Sequence, residues 1–239
     1  MPPSRHGGSE RAPSVASTGR AERTDRLARV AHALVALVVV ASLVVQLVLV
    51  VRGGTDANTG DSQAEVAVGT RLVRLFSYFT IQSNLFVLLT SATLALSPRR
   101  DGRVWRVLRL DALLGITITG LVYWTLLAPV VHLEGAALAA GLGFHLVSPV
   151  LTLVVWVVFG PRPRVSWSTT AWLFGWPLAW VGSTFAHGAL TGWYPYPFLD
   201  ATAVGYPQAL LATGAVLVLG VLLALLLRLL DQRLPTAPR

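Results

Sequence analysis

Thr80 and His145 lie within hydrophobic segments, and the types of their side chains would permit nucleophilic chemistry. A threonine hydroxyl is a weak nucleophile until a base accepts its proton, and histidine suits that role near neutral pH. Such a base needs a third group to orient it, and the reaction needs a donor for the oxyanion. Asn84 lies one helical turn beyond Thr80 and is our candidate oxyanion donor.

Other polar and aromatic side chains near these three are candidates for supporting or binding a substrate. Intramembrane Ser and Thr more often bond to the carbonyl four residues earlier or join two helices, and Trp and Tyr often form an interfacial belt. Both readings stay open at this point. The supporting candidates are His187 and Asp200, and the substrate-binding candidates are Gln82, Ser83, Ser148, Trp193 and Tyr196.

The sequence predicts no metal site and no cofactor. It contains no cysteine, which excludes thiolate sites and disulfides. His145 and His187 are the plausible deep ligands, with Asp200 or Glu134 as a third, but no paired-histidine spacing accompanies them. A glycine-rich phosphate loop and a dinucleotide fingerprint are both absent from the sequence.

The elements that must position these residues are hydrophobic segments. The chain has 239 residues, of which 54% are hydrophobic and 13% are charged, as in a polytopic membrane protein. About 20 apolar residues at 1.5 Å each cross the hydrocarbon core of a bilayer. We therefore predict an all-α integral membrane protein with six transmembrane helices. Their approximate ranges are 30–51, 72–96, 110–131, 136–159, 169–190 and 208–230.

Arginine placement predicts the orientation of these spans. Sixteen of the 19 basic residues, all of them arginine, lie in the segments on one side. The positive-inside rule places that side, with both termini, in the cytoplasm of a multi-pass cell-membrane protein. The net charge of +8 is thereby explained without nucleic acid as a partner. Asp111, at the inner edge of the third span, is expected to pair with Arg109.

Three regions follow from this pattern. Residues 1–26 are rich in Ser, Pro, Gly, Ala and Arg and are predicted to form a disordered basic cytoplasmic tail. Residues 27–230 form the six-helix transmembrane domain. Residues 231–239 form a short cytoplasmic tail.

The topology predicts how deep each polar residue lies. Thr80 and His145 both lie about nine residues inside the outer boundary, which is about 13 Å at helical rise. Ser77, Thr80 and Asn84 also have the spacing of one helix face. The sequence therefore predicts a shared polar level that contains Thr80, Asn84, His145 and Ser148, with His187 and Asp200 just above it.

Three stretches resemble the androgen-induced-gene-like integral membrane proteins, and within them the bacterial six-helix branch called the Pr-six-Pr family. The first stretch runs from Arg74 to Leu85, and its Phe76, Thr80, Gln82, Ser83 and Asn84 are similar to the F-T-x-Q-S-N run of the bacterial members. Residues 144–151 contain the histidine followed shortly by a proline. Residues 180–200 contain a tryptophan, a histidine, Thr-Gly-Trp, and then Tyr-Pro-Phe-Leu with an acid. The likeness in length covers about 30–230.

This resemblance implies a function. The animal members are regarded as intramembrane threonine hydrolases that cleave fatty acid esters of hydroxy fatty acids, with one threonine and one histidine. Carried over, those residues match Thr80 as nucleophile and His145 as its base. Our first hypothesis is therefore a lipid-ester hydrolase, with membrane lipids or a lipid-like substrate as its partner. The Gln-Ser-Asn run beside Thr80 is a feature of the bacterial branch, and the animal proteins differ there.

Two other hypotheses remain open. The same polar cluster could bind a small ligand or lipid in a non-enzymatic transporter or sensor. Proline-interrupted helices favour such sites, and Pro149 and Pro177 lie within predicted spans. A structural or assembly role is the third hypothesis.

Overall fold

The computed structural model describes residues 15–235, and the regular structure of this part is helical, without a β-strand. Two π-helical segments, Tyr123–Leu127 and Gly143–Val147, continue or join longer helices. The α-helices are α1 (Val15–Arg52), α2 (Val68–Ser77), α3 (Phe79–Leu96), α4 (Arg103–Val122), α5 (Gly135–Leu142), α6 (Ser148–Phe159), α7 (Trp167–Trp172), α8 (Gly175–Thr191), α9 (Ala201–Val204) and α10 (Tyr206–Arg233).

Five helical stretches in the described residues are long and apolar enough to cross a membrane, in agreement with the predicted all-α membrane class. They are Ala21–Arg52, Phe79–Leu96, Arg103–Leu127, Gly135–Phe159 and Tyr206–Arg233. The predicted fifth span, 169–190, is instead divided by a turn at Leu173 and Phe174 into α7 and α8. With 17 residues, α8 is shorter than the other stretches.

The predicted second span is not one continuous helix. Helix α2 ends at Ser77, Tyr78 adopts an extended backbone (φ −67°, ψ 132°), and α3 begins at the next residue. The break changes the direction in which side chains before and after it point. The expectation that Ser77 shares a helix face with Thr80 and Asn84 is therefore wrong, because Ser77 belongs to α2.

Helical structure begins earlier and ends later than predicted. Helix α1 starts at Val15, inside the segment 1–26 for which we predicted disorder, and α10 continues to Arg233. Residues 1–14 and 236–239 of the two predicted tails lie outside the described residues. Arg29 of α1 donates to the carbonyls of Ala95 (3.2 Å) and Leu96 (2.6 Å), which have no partner within α3. This contact ties α1 to the end of α3.

Small residues allow two helices to approach the segment that carries His145. A Cβ atom added to Gly143 would overlap the hydroxyl of Ser42 on α1. On the opposite helix, a Cβ atom added to Gly120 of α4 would lie 3.2 Å from the ring of Pro149. Close approach through small residues is the common way in which membrane helices pack. The backbone around His145 is thus fixed between α1 and α4.

The loop between α1 and α2 covers one end of the bundle with buried polar side chains. Asp56 Oδ1 accepts hydrogen bonds from the Asn58 backbone N–H (2.8 Å) and amide (3.0 Å). Its Oδ2 accepts from Gln63 Nε2 (3.4 Å), and the Tyr78 hydroxyl also interacts with the carboxyl. Burial raises the pKa of Asp56 above its ordinary value. The loop therefore supports the break between α2 and α3 through Tyr78.

Candidate functional site

The break at Tyr78 places the start of a helix at Thr80. Thr80 is the second residue of α3, and it is buried. The first N–H groups of a helix have no partner inside it, and they carry the partial positive charge of the helix dipole. The Thr80 N–H donates to the hydroxyl oxygen of Tyr196 (3.2 Å). A buried nucleophile candidate therefore lies where an anion would be stabilised.

Tyr196 reaches this position from the loop that follows α8. We predicted it as a substrate-binding residue, with an interfacial belt as the alternative. The structure buries it against Tyr78 (5.7 Å between ring centroids) and Trp180 (6.1 Å), and its hydroxyl accepts from the free N–H at the start of α3. Burial raises the pKa of Tyr196 to about 12. Its hydroxyl is therefore neutral at physiological pH and retains a proton to donate.

The hydrogen bonds of His145 define its tautomer. His145 Nδ1 lies 2.9 Å from the carbonyl oxygen of Gly141, and a carbonyl only accepts, so Nδ1 carries the proton. The unprotonated Nε2 faces the Thr80 hydroxyl at 3.4 Å. The Tyr196 hydroxyl lies 3.3 Å from the same Thr80 oxygen. Every atom is satisfied when the Tyr196 hydroxyl donates to the Thr80 oxygen and the Thr80 hydroxyl donates to His145 Nε2. His145 Nδ1 then donates to the Gly141 carbonyl.

Packing fixes the imidazole in this orientation. Its ring stacks on Tyr123 with 3.8 Å between centroids and 11° between planes. The neighbouring Trp124 donates from Nε1 to the His145 carbonyl (3.0 Å). Tyr123 lies in the first π-helical segment and His145 in the second, and such segments are frequent at functional sites. The imidazole is therefore held by stacking and by its own helix.

Asn84 lies beside Thr80 but does not face the position of an oxyanion. Its Nδ2 donates to the carbonyls of Thr80 (2.9 Å) and Phe144 (3.5 Å). Both donor directions are used by backbone carbonyls, so Asn84 would have to give up one of these hydrogen bonds to act as the predicted oxyanion donor. Asn84 instead connects α3 to the segment that carries His145. Ser83 precedes Asn84 in the chain, Ser148 follows shortly after His145, and both are fully buried. Their hydroxyl oxygens have no hydrogen-bond partner among the described residues.

Gln82 and Asp200 lie away from Thr80 and His145. Gln82 Nε2 donates to the Phe76 carbonyl (2.9 Å), and Oε1 accepts from Trp176 (2.8 Å). Asp200 Oδ1 accepts from the first backbone N–H groups of α9 at 2.9 and 3.3 Å. This is an N-cap, a role for which Asp is a preferred residue. The Asp200 carboxylate thus caps α9, and it makes no hydrogen bond to His145 among the described residues.

His187 and Trp193 form part of a separate open groove of about 490 Å³ between α2 and α8. Their rings meet edge to face with 5.8 Å between centroids. Gln82 also faces this groove, whereas Thr80 lines a different cavity. Trp180 borders both spaces, so its indole lies between them. The predicted single site is thus divided, and His187 does not assist His145 directly.

The cavity beside Thr80 has a volume of about 70 Å³. A single water needs about 10–15 Å³ by this measure, so the cavity has room for a larger group. Its walls are almost entirely apolar, with a few Thr and Tyr residues among them, which suits an alkyl chain next to a polar function. The lining comes from α3, α4, α8, α10 and the loop after α8, and includes Thr80, Tyr196, Leu114, Ile118, Val216 and Leu217.

Two elements of the site were outside the sequence prediction. The Gly141 carbonyl orients His145, and a backbone group leaves no signal in residue type. The contact between Tyr196 and Thr80 depends on the fold of the loop after α8, although the aromatic character of that loop drew attention to it. Among residues 15–235 no group of three or more His, Asp or Glu side chains could hold a metal ion.

Comparison of the chain with family models, with curated proteins and with solved structures found no match.

Proposed function

We propose that this protein is a membrane-embedded hydrolase of lipid esters, with Thr80 as nucleophile and His145 as general base. The observation that carries the proposal is the directed chain of hydrogen bonds from Thr80 through His145 to the Gly141 carbonyl. This chain lies at the start of a buried helix and beside an apolar cavity. The resemblance to the androgen-induced-gene-like proteins, carried by residues 74–85, 144–151 and 180–200, supports the same assignment.

The geometry accounts for each step of ester cleavage. Thr80 Oγ1 attacks the ester carbonyl carbon while its proton passes to His145 Nε2. The carbonyl oxygen becomes an oxyanion, which the Thr80 N–H and the Tyr196 hydroxyl would bind once the hydrogen bond from the Thr80 N–H to Tyr196 opens. The bond to the alcohol oxygen then breaks, and the proton moves from His145 to that oxygen. Water, activated by the same base, hydrolyses the acyl-threonine, which releases the fatty acid and restores the Thr80 hydroxyl.

The site has a backbone carbonyl where a serine hydrolase has a carboxylate. The Gly141 carbonyl fixes the tautomer and the ring orientation of His145, which is the positioning part of the carboxylate's role. A carbonyl provides no full negative charge to stabilise an imidazolium. We therefore expect slow turnover, with the apolar surroundings and the start of α3 contributing to the stabilisation of the oxyanion.

The same proposal includes six spans with both termini in the cytoplasm of a multi-pass cell-membrane protein. In this arrangement α7 and α8 together form the additional crossing, with α8 about 25 Å long at helical rise. The chain has no cysteine, so single cysteines report their own exposure. We expect an impermeant maleimide to label Thr191→Cys in intact cells and Gln232→Cys only after permeabilisation. Labelling of both in intact cells would refute this topology.

A second candidate function is favoured by the position of Tyr196. Its hydroxyl oxygen occupies the start of α3, where an oxyanion would be held. In a non-enzymatic ligand- or lipid-binding protein, an acceptor group of the ligand would displace this hydroxyl, and no bond would be cleaved. Replacement of the Thr80 hydroxyl would then weaken binding, and no product would form with the wild type.

Hydrolysis of an ester in detergent micelles separates these two functions. Wild type, Thr80→Ala and Thr80→Ser would be compared on a medium-chain nitrophenyl ester, with Thr93→Ala as the control. Thr93 lies on the same helix, and its hydroxyl bonds to the carbonyl four residues earlier. We expect activity in wild type, Thr93→Ala and, at a reduced level, Thr80→Ser, and none in Thr80→Ala. Equal activity in Thr80→Ala would refute the hydrolase proposal.

A further inference from the structure

Arg109 is a buried arginine that forms no ion pair with any of the described residues. The residue is 8% exposed, and Nη1 donates to the Thr90 hydroxyl at 3.3 Å. Its Nε and Nη2 are buried and have no hydrogen-bond partner among the described residues. Arginine keeps its charge in proteins, and an unpaired buried charge is costly. The position therefore calls for an anion.

The acid predicted to pair with Arg109 does not do so. The ion pairs among the described residues join Arg99 to Asp25 and Arg106 and Arg164 to Asp101. Asp111 is buried on the same helix, two residues further along. Side chains two residues apart in a helix do not face each other, so the predicted pair between Arg109 and Asp111 is wrong.

Arg162, which is also buried, shows how backbone carbonyls can take up two of the donors of an arginine in this fold. Arg162 donates from Nη1 to the Trp156 carbonyl at the end of α6 and from Nη2 to the Pro235 carbonyl (2.8 Å). The Trp156 carbonyl lies in the last turn of α6, where it also accepts from the Gly160 N–H, and Pro235 follows the end of α10. Arg109 lies within α4 and makes no contact of this kind. It therefore keeps two buried donors, Nε and Nη2, without a partner among the described residues, whereas Arg162 keeps only Nε.

Arg109 lines a cavity of about 30 Å³ at the arginine-rich end of the bundle. Arg106 and Arg164 line the same cavity, and both pair with the exposed carboxylate of Asp101. Trp105 and Trp156 provide its apolar walls. Three arginines with aromatic walls between membrane helices match the needs of a phosphate group attached to an apolar molecule.

One carboxylate, Asp231, also borders this cavity, and its role is structural. Its Oδ2 accepts from the backbone N–H groups of Arg164 (2.6 Å) and Val165 (2.8 Å), which anchors the segment before α7 to α10. Its Oδ1 has no partner among the described residues. The negative charges of Asp101 and Asp231 offset two of the three arginine charges that line the cavity. One positive charge remains.

We propose that this cavity binds a phosphate group, carried by an anionic phospholipid or by free inorganic phosphate, with Arg106, Arg109 and Arg164 as its binding residues. The site lies at the opposite end of α4 from the segment beside His145, and it does not depend on the hydrolase proposal. Bound phosphate would supply the missing counter-charge of Arg109.

The test is thermal unfolding of the full-length protein in a neutral detergent, followed by tryptophan fluorescence. Wild type, Arg109→Gln, Arg106→Gln and Arg164→Gln would each be titrated with phosphatidylglycerol, phosphatidylcholine, sodium phosphate or sodium chloride. Arg103→Gln is the matched control, because it removes the same charge from an exposed position on α4. Charge-assisted hydrogen bonds to phosphate predict binding weakened roughly tenfold or more in each cavity variant.

We expect phosphatidylglycerol to raise the unfolding midpoint of wild type and Arg103→Gln, and the shift to disappear in Arg109→Gln. A similar shift with sodium phosphate, but not with sodium chloride, would identify free phosphate as a sufficient ligand. A shift with phosphatidylglycerol alone would identify the lipid as the source. If Arg109→Gln does not fold, Arg106→Gln and Arg164→Gln decide the question. Equal shifts with both lipids and none with phosphate, or full shifts in the cavity variants, would overturn the proposal.

Discussion

Replacement of Tyr196 by Phe removes one hydroxyl group from the centre of the site. That hydroxyl accepts from the Thr80 N–H at 3.2 Å and lies 3.3 Å from the Thr80 hydroxyl. The aromatic packing against Tyr78 and Trp180 does not depend on it and would be retained. The change therefore isolates the two hydrogen bonds to Thr80.

Two effects of different size are expected. The Thr80 N–H at the start of α3 would be buried without a partner, which costs about 1–3 kcal/mol of stability. The loss of an oxyanion donor lowers kcat by about 10²–10³-fold, which exceeds what a stability loss of this size does to a folded enzyme. The two effects are measured separately, by unfolding and by initial rates below the unfolding transition.

Tyr206→Phe is the matched control. Its hydroxyl lies 3.5 Å from that of Tyr194 at the partly exposed start of α10, away from Thr80. Both variants would be assayed for ester hydrolysis in micelles and for thermal unfolding. Tyr196→Phe should be less stable and nearly inactive, while Tyr206→Phe resembles wild type. A Tyr196→Phe protein with the activity and stability of Tyr206→Phe would refute the role assigned to this hydroxyl.

The structure makes four further predictions. His145→Gln should lower kcat by about 10²–10⁴-fold at unchanged secondary structure, measured by initial rates and circular dichroism, and a rate near that of wild type would exclude His145 as base. Asn84→Leu should lower the free energy of unfolding by about 1–3 kcal/mol, because two backbone carbonyls lose a donor, and an unchanged unfolding midpoint would contradict that role. Gly143→Ala should cost about 1–3 kcal/mol through overlap with Ser42, and Ser42→Gly in the same chain should restore part of that loss; no rescue would show that the overlap is not the cause. Burial raises the pKa of Asp56, so the contribution of this carboxyl to stability is fully present below about pH 4 and is lost as the pH rises through the raised pKa. Asp56→Asn should therefore flatten the pH dependence of the free energy of unfolding. A variant whose stability varies with pH as in wild type would refute this.

The membrane class and the pairing of Thr80 with His145 could be predicted because both depend on residue type and depth. Hydrophobic segments long enough to span a bilayer are visible in composition alone. Once each segment had a direction, counting residues from the boundary placed the hydroxyl and the imidazole at one level. The structure brings these two groups within 3.4 Å of each other.

The break between α2 and α3 could not be predicted from local sequence. Residues 74–84 contain neither Pro nor Gly, which are the usual signals of a helix end. The break is stabilised by distant groups, since Trp180 donates to the Ser77 carbonyl (2.9 Å) and Tyr196 accepts from Thr80. Tertiary contacts here override a continuous hydrophobic pattern.

Depth does not determine the direction of a side chain, so the sequence could not place every candidate residue relative to Thr80. Gln82 is two residues from Thr80, yet it faces the groove on the other side of Trp180. Asp200 was expected above the site, but a short helix begins after it, and its carboxylate caps that helix. Such details depend on helix rotation and on loop conformation, which one sequence specifies only through its tertiary contacts.

The most direct test of the proposed mechanism is to identify the residue that becomes covalently modified. Purified protein would be treated with a long-chain alkyl fluorophosphonate, digested, and analysed by tandem mass spectrometry, beside His145→Gln and Thr93→Ala. The mechanism predicts one adduct, on Thr80, in wild type and Thr93→Ala, and none in His145→Gln. Ester hydrolysis by a folded wild type with no adduct on Thr80, or with the adduct on another residue, would contradict it.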